Sequence, residues 1–141
     1  MRLVLDICVL VSAIRSPGGA SDALVEFALN NTVEILISTP LDLKYEATLK
    51  RAEHLHVSGF TVLEVDSFID AICKVGIEAP TKWKWRPQLN DPGDEMVLDT
   101  AINGGAQAIA TFNRSHFEEA DGRFGIDVLW PSEVLKKVRN I

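Results

Sequence analysis

The chain of 141 residues is 47% hydrophobic and carries a formal net charge of −6 at pH 7. These values predict one domain, residues 1–141, built around one hydrophobic core. The acidic charge argues against unselective nucleic-acid binding through a basic surface, and no apolar run reaches the roughly 18 residues of a membrane-spanning helix. With no basic and apolar leader before the first strand, we expect a cytoplasmic protein.

The first half of the chain alternates between strand-like and helix-like segments. In chain order it predicts a strand at residues 2–6, a helix at about 21–29, a strand at 33–37 and helices at about 39–52 and 61–75. The first strand is apolar up to its last residue, which is typical of a strand covered on both faces of a sheet. Ser21 and Asp22 are expected to cap the first helix, and Thr39, before Pro40, the second.

The second half of the chain continues the same alternation. It predicts a short strand at 77–79, a helix from Pro92 to Gly104-Gly105, strands at 108–111 and 126–129, and a last helix from Pro131. Strands that alternate with helices favour a parallel sheet with both faces covered, so the expected fold class is α/β.

Acidic residues stand at two places that such a sheet brings near its ligand-binding edge. Asp6 ends the first predicted strand, and Asp94 lies in the cluster 90–95, which opens the helix from Pro92. In open α/β sheets, ligands bind outside the carboxyl ends of the strands. Divalent cations prefer oxygen ligands, and Mg²⁺ needs only one or two carboxylates besides water and substrate phosphate. We therefore predict a cation site and metal-dependent phosphodiester chemistry.

Three stretches together resemble the PIN domain, a nuclease fold common among toxins of bacterial toxin–antitoxin pairs. They are residues 3–6 running into 9–13, residues 85–98, and residues 104–113. The resemblance spans nearly the whole chain and implies a three-layer α/β/α fold with a central parallel sheet. It also implies an endoribonuclease that cleaves single-stranded RNA, forms a homodimer and is bound by an antitoxin protein.

The resemblance further implies roles for single residues. In PIN domains, acids from the first strand, from the helix after the second strand and from the start of a later helix bind Mg²⁺ or Mn²⁺. A fourth polar residue follows the fourth strand. Asp6 matches the first acid, Asp94 the third and Asn113 the fourth polar position. The expected catalytic residues are therefore Asp6, Asp94 and Asn113, with Asp6 and Asp94 as the metal ligands.

The second acidic position of the family falls on Lys44 in this chain. Asp42 and Glu46 do not replace it, because each is two residues away and projects about 200° around the helix. An ammonium about 5 Å from Mg²⁺ would oppose its binding by roughly 6 to 7 kcal/mol at an effective dielectric constant near 20. Alternatively, Lys44 pairs with Asp6 or Asp94 and occupies the place of the cation itself.

Candidate substrate contacts are Ser12, Arg86 and Arg114. Ser12 follows the first strand, where the alternative is a hydroxyl that caps the next turn. Arg86 lies close to Lys82 and Lys84, just before the acidic cluster, and can attract phosphate. Arg114 follows the fourth strand at the edge where substrates bind in such folds, and the alternative there is a plain turn.

A second departure from the family adjoins Asp6. Ile7-Cys8 stands where the family usually has Thr-Asn, which removes a hydroxyl and an amide from the edge of the site. Together with Lys44, it leaves two functions open: a metal-dependent ribonuclease of weakened activity, or a catalytically silent PIN-like module that binds RNA or a protein partner. Aspartate-based phosphotransfer is disfavoured, because Cys8 stands where a second Asp is needed and no glycine-rich phosphate loop is present.

Overall fold

A five-stranded parallel sheet forms the centre of the computed structural model, which describes residues 1–80, 91–118 and 121–139. Within those residues the strands lie in the order β3-β2-β1-β4-β5, and each neighbouring pair is parallel. The strands are β1 (Arg2–Leu5), β2 (Glu34–Ile37), β3 (Ile77–Glu78), β4 (Ala108–Ala110) and β5 (Asp127–Leu129). All five lie in segments for which the sequence predicted a strand.

Helices cover both faces of this sheet. They are α1 (Ile7–Arg15), α2 (Ala20–Leu29), α3 (Thr39–Leu49), α4 (Ala52–Ser58), α5 (Val62–Val75), α6 (Pro92–Gly104) and α7 (Pro131–Arg139), with a short 3₁₀ helix at Arg114–Phe117. The helix α6 packs on β1, β2 and β4, whereas α2 packs on α1 and α7. The chain moves from β1 to β2 and β3, then returns through α6 to β4 on the other side of β1. Right-handed crossovers in opposite directions place their helices on opposite faces, which gives the predicted three-layer α/β/α fold.

The central strand β1 fixes the position of the candidate site. Leu3, Val4 and Leu5 are at most 1% exposed, so both faces of β1 are covered, as its apolar sequence predicted. Chain connections leave β1 toward β2 on one side, whereas β4 on the other side is reached only after α6. The strand order therefore reverses beside β1, and ligands of open α/β sheets bind at such a reversal, outside the carboxyl ends of the strands.

Two helix starts differ from the sequence prediction. The helix α2 begins at Ala20 with Gly19 as its N-cap, so Ser21 is buried within the first turn. The carboxylate of Asp22 accepts a hydrogen bond from the backbone N–H of Gly18 at 2.8 Å, so it holds the turn before the helix. At α3 the cap is Ser38, not Thr39.

Ser38 caps α3 because its own backbone is extended and its hydroxyl accepts a hydrogen bond from the N–H of Leu41 at 3.3 Å. The same hydroxyl lies 2.8 Å from the hydroxyl of Thr100 on α6, which joins the two helices. The predicted helix 39–52 ends earlier, at Leu49, and Ala52 begins α4, a separate helix that was not predicted and whose N-cap, Arg51, has an extended backbone.

The ends of α5 and α6 agree with their sequence signals. Thr61 and Glu64 form a reciprocal capping box at the start of α5. Gly105 ends α6 with a φ of 67°, a left-handed conformation that glycine adopts without steric cost. Across the described ranges, no helix combines the length and apolar character needed to cross a membrane.

Candidate active site

Asp6 lies at the carboxyl end of β1, where it is also the N-cap of α1. Its backbone N–H donates to the carbonyl of Ala110 on β4 at 2.9 Å, so it is fixed at the boundary between the two strands. The side chain is buried, with 2% exposure. Its Oδ1 accepts from the N–H of Ile7 at 2.8 Å, and its Oδ2 accepts from the hydroxyl of Thr111 at 2.7 Å. These bonds hold the side chain in one orientation, and among residues 1–80, 91–118 and 121–139 no salt bridge to it is present.

Cys8 and Tyr45 complete the surroundings of Asp6. The thiol of Cys8 donates to Oδ2 of Asp6 at 3.4 Å, and burial, followed by the charge of Asp6, raises the pKa of Cys8 to about 11. Cys8 is therefore a neutral thiol at physiological pH. The hydroxyl of buried Tyr45, from α3, donates to the backbone carbonyl of Leu5 and attaches α3 to the end of β1. Burial, then the charge of Asp6, raises the pKa of Tyr45 well above 10.

Asp94 lies in the first turn of α6 and is 6% exposed. Its Oδ2 is buried and accepts no hydrogen bond from any described residue. Burial raises the pKa of Asp94 most, and the negative charges of Asp6 and Asp91 raise it further. The imidazole Nδ1 of His116 lies 3.1 Å from this Oδ2, but the contact lacks hydrogen-bond geometry. Asp6 and Asp94 are thus near enough to repel each other, and Asp94 retains an unsatisfied oxygen.

The side chain of Lys44 extends from α3 to the first turn of α6. A methyl group added at Gly93 would lie 2.5 Å from Nζ of Lys44 and 3.1 Å from Oδ1 of Asp91. The positive charge of Lys44, like that of His116, lowers the pKa of Asp94, but the two effects do not outweigh burial and acidic repulsion. Lys44 therefore brings its ammonium group to the acidic helix start.

The other candidate residues are less closely associated with this pair. Asn113 is exposed, and its backbone N–H donates to the hydroxyl of Thr111 at 3.0 Å. Arg114, in the 3₁₀ helix, contacts a carboxylate oxygen of Glu133 at 3.4 Å. Ser12 lies within α1, about 9 Å along the helix axis from Asp6. Arg86 lies outside the described residues.

Two residues of the site had no assigned role in the sequence prediction. Thr111 directly follows apolar β4 as Asp6 follows β1, so the same signal, a polar residue after a buried strand, marks it. His116 had no comparable signal, because only the 3₁₀ helix brings its ring against Asp94.

The donor set fits a divalent cation that keeps most of its water. Among the described residues, no three His, Cys, Asp or Glu side chains form a metal-binding group. Mg²⁺ is commonly held by one or two carboxylates together with waters and substrate phosphates. Asp6 and Asp94 meet this lower requirement, and Oδ2 of Asp94, although 3.1 Å from Nδ1 of His116, accepts no hydrogen bond from the described residues. The positive charge of Lys44 opposes such an ion.

Acidification is expected to stabilise the metal-free protein through Asp94. Its pKa in the folded state is raised above the model value of 3.8, so the folded state binds more protons between the two values. The free energy of unfolding then falls as the pH rises through the folded pKa, by at most about 1.4 kcal/mol per unit of difference. The loss of stability is complete at pH values above the folded-state pKa of Asp94 and absent below its unfolded-state pKa.

Urea unfolding in EDTA, from about pH 4 to pH 7, tests this expectation. The Asp94→Asn variant should be more stable than the wild type at pH 7, and the difference should shrink on acidification. Asp127→Asn, which removes an acid with a 62% exposed side chain, is the control and should leave the profile unchanged. A neutral-pH stability of Asp94→Asn equal to or below that of the wild type would contradict the expectation.

Comparison with known proteins identifies a family for this chain. A family model described as a PIN domain matches residues 2–115, which include β1 to β4 and the residues Asp6, Lys44, Asp94 and Thr111 of the site, whereas His116 follows directly after the match. No curated protein and no solved structure matches the chain.

Proposed function

The chain belongs to the PIN-domain family, a family with a nuclease-like fold, and on that premise we propose that it is a metal-dependent endoribonuclease of weakened activity. The proposed substrate is single-stranded RNA and the proposed cofactor is Mg²⁺ or Mn²⁺. The observation that supports it most is the buried Oδ2 of Asp94, which accepts no hydrogen bond from the part of the chain that the structure describes and is exposed to the negative charge of Asp6. Two repelling carboxylates with a free acceptor are stabilised by a shared cation.

In this proposal, Asp6 and Asp94 hold the ion. A bound Mg²⁺ or Mn²⁺ supplies an activated water as the nucleophile and offsets the charge that grows on the phosphate. Thr111 and the Cys8 thiol keep Oδ2 of Asp6 oriented by hydrogen bonds at 2.7 and 3.4 Å. Asn113 follows β4 at the same edge of the sheet and is assigned to the scissile region of the RNA.

Lys44 is the reason to expect weak activity. Its ammonium lies against the first turn of α6, where its charge competes with the cation for Asp94. The same charge attracts phosphate, so RNA binding is less affected than metal binding. Substrate contacts at Ser12, Arg86 and Arg114 belong to the same proposal. The side chain of Arg114 is exposed, as such a contact requires.

A catalytically silent module that binds RNA or a protein partner is the second candidate. The observation that favours it is again the position of Lys44, which supplies a permanent intramolecular positive charge where the family has an acid. The role as a toxin, the antitoxin partner and the homodimer rest on family membership alone. They are proposed for either candidate, together with a cytoplasmic location.

The deciding experiment combines Mn²⁺ titration by calorimetry with cleavage of a labelled single-stranded RNA. The wild type should bind Mn²⁺ weakly and cleave slowly, and EDTA should stop cleavage. Asp6→Asn should lower cleavage by more than about 100-fold, because losing even an outer partner of a metal ligand costs about 10- to 100-fold. Asp70→Asn, at an exposed acid on α5, is the matched control. Cleavage that survives in EDTA or in Asp6→Asn would refute the proposal, and RNA binding without cleavage would favour the silent module.

A further inference from the structure

An exposed aromatic side chain lies at the same edge of the sheet as the two carboxylates. Trp130 directly follows β5 and is 44% exposed. Its ring meets the ring of Phe112, which follows β4, edge to face with centroids 5.8 Å apart. Such pairs are worth about 0.5 to 1.5 kcal/mol beyond the area they bury, so Phe112 holds the exposed indole in one orientation.

Backbone hydrogen bonds fix the distance between Trp130 and the candidate site. The N–H of Asp6 donates to Ala110 on β4, and the N–H of Thr111 donates to Leu129 on β5, both at 2.9 Å. Trp130 is therefore two strands away from Asp6 along the carboxyl edge of the sheet. Neighbouring strands are about 4.8 Å apart, so their backbones are separated by roughly 10 Å. A strand of RNA bound at the carboxylates can reach the indole with a neighbouring nucleotide.

A positively charged side chain is attached to the same surface. Oε1 of Glu133 accepts from the backbone N–H of Trp130 at 3.0 Å and from the guanidinium of Arg114 at 3.4 Å. The side chains of Arg114 and Glu133 are 47% and 41% exposed. Exposed ion pairs contribute only about 0 to 1 kcal/mol, so a phosphate can take over the guanidinium at little cost.

The charge around Arg114 limits what phosphate attraction can supply. Glu118 and Asp121 line the same depression of about 350 Å³ as Arg114. Their negative charges oppose a polyanion, so the contact with the aromatic ring has to provide most of the affinity here. Single-strand binders combine positive charge with aromatic side chains on which bases stack, and stacking tolerates any sequence because every base has a face.

We propose that Trp130 is a stacking platform for one base of a single-stranded RNA, with Arg114 contacting the adjacent phosphate. The substrate class rests on the proposed function, whereas the platform rests on the described geometry. Among the described residues, the large apolar side chains more exposed than Trp130 belong to α3, α4 and α5; they are Leu43, Val57, Val62 and Leu63. Trp130 is thus an exposed ring, supported by Phe112 and linked through Glu133 to Arg114 at the ligand edge of the sheet, which suits a base better than the broad apolar face of a protein partner.

The test is binding of an end-labelled oligoadenylate, measured by fluorescence anisotropy in EDTA so that no cleavage occurs. Trp130→Ala should weaken binding by about 5- to 150-fold, which corresponds to the loss of about 1 to 3 kcal/mol of stacking. Trp130→Phe should retain most of the affinity, because a stacking ring remains. Leu63→Ala, at a 77% exposed apolar residue on α5, is the control and should bind as the wild type does.

An abasic oligomer with the same number of phosphates separates stacking from a general structural effect. Trp130→Ala and the wild type should bind this oligomer equally, whereas Arg114→Ala should still weaken its binding. The platform is overturned if Trp130→Ala binds oligoadenylate like the wild type, if its defect is equally large on the abasic oligomer, or if the wild type binds neither. A wild type that binds through Trp130 yet never cleaves in Mn²⁺ refutes the nuclease and supports the platform.

Discussion

The Lys44→Glu substitution is expected to tighten Mn²⁺ binding by roughly 10- to 100-fold and to raise the rate of RNA cleavage in parallel. The ammonium of Lys44 lies at the acidic first turn of α6, where it acts on Asp94. A unit charge about 5 Å from a divalent ion opposes it by roughly 6 to 7 kcal/mol at an effective dielectric constant near 20. Lys44 is half-buried, so solvent screens part of this repulsion, and the expected gain is correspondingly smaller.

Two further variants separate the causes of that gain. Lys44→Met removes the charge without adding a ligand, so it should give an intermediate affinity for Mn²⁺. Lys74→Glu makes the same charge change at an exposed position on α5 and should leave metal affinity unchanged. Calorimetry measures the affinity, and the single-stranded RNA assay measures the rate. If Lys44→Glu improves neither quantity, Lys44 is not what weakens metal binding. The departure at Ile7-Cys8 or the small number of ligands then limits Mn²⁺ affinity instead.

The Thr111→Val substitution is expected to lower both Mn²⁺ affinity and RNA cleavage by about 10- to 100-fold, because outer hydrogen-bond partners of metal ligands typically contribute that much. Thr111 donates to Oδ2 of Asp6 at 2.7 Å in a buried environment. Valine has nearly the same shape but no donor, so the carboxylate loses a charge-assisted hydrogen bond and its fixed orientation. Stability should fall as well, by about 1 to 3 kcal/mol, since a buried group loses its partner.

Thr111→Ser is the matched control, because it keeps the hydroxyl that donates to Asp6 and deletes only a methyl group. Its metal affinity should stay close to that of the wild type. Thermal unfolding in EDTA separates a loss of fold from a loss of site. Should the wild-type rate be too low to measure a further decrease, the Lys44→Glu background provides the necessary range. Equal Mn²⁺ affinity in Thr111→Val and the wild type would show that this hydroxyl does not support the site.

The predicted family and the three-layer fold are confirmed, and the reason is that both depend on long-range patterns. The uniformly apolar Leu3-Val4-Leu5 predicts a central strand whatever its neighbours are, and Gly105 ends α6 where its sequence signal stands. Helix starts depend instead on a choice between adjacent residues. Ser38 and Thr39 can both cap a helix, and only the extended backbone of Ser38 decides between them.

Some contacts of the candidate site can likewise be predicted from the sequence, whereas others depend on the fold. Asp6 and Asp94 can be found from the sequence because each stands at a recognisable end of an element, and their roles remain predictions. The hydrogen bond from Thr111 to Asp6 joins residues 105 positions apart, so it exists only once β1 and β4 pair. The contact of His116 with Asp94 likewise requires the 3₁₀ helix, for which the sequence has no clear signal.

Asp6 lies both at the end of β1 and at the start of α1, and this has a consequence for the evolution of related proteins. Its Oδ1 accepts a hydrogen bond from the first N–H of α1. The carboxylate that is proposed as a metal ligand therefore also caps a helix of the core. Selection for folding alone would then preserve an acid here after catalysis had decayed. Asp94 makes no comparable contribution to folding, because its Oδ2 accepts no hydrogen bond from the described residues and its burial is unfavourable. In homologues that have lost catalytic activity, we expect Asp94 to be substituted before Asp6. An intact Asp6 is therefore a poorer indicator of an active enzyme than an intact Asp94.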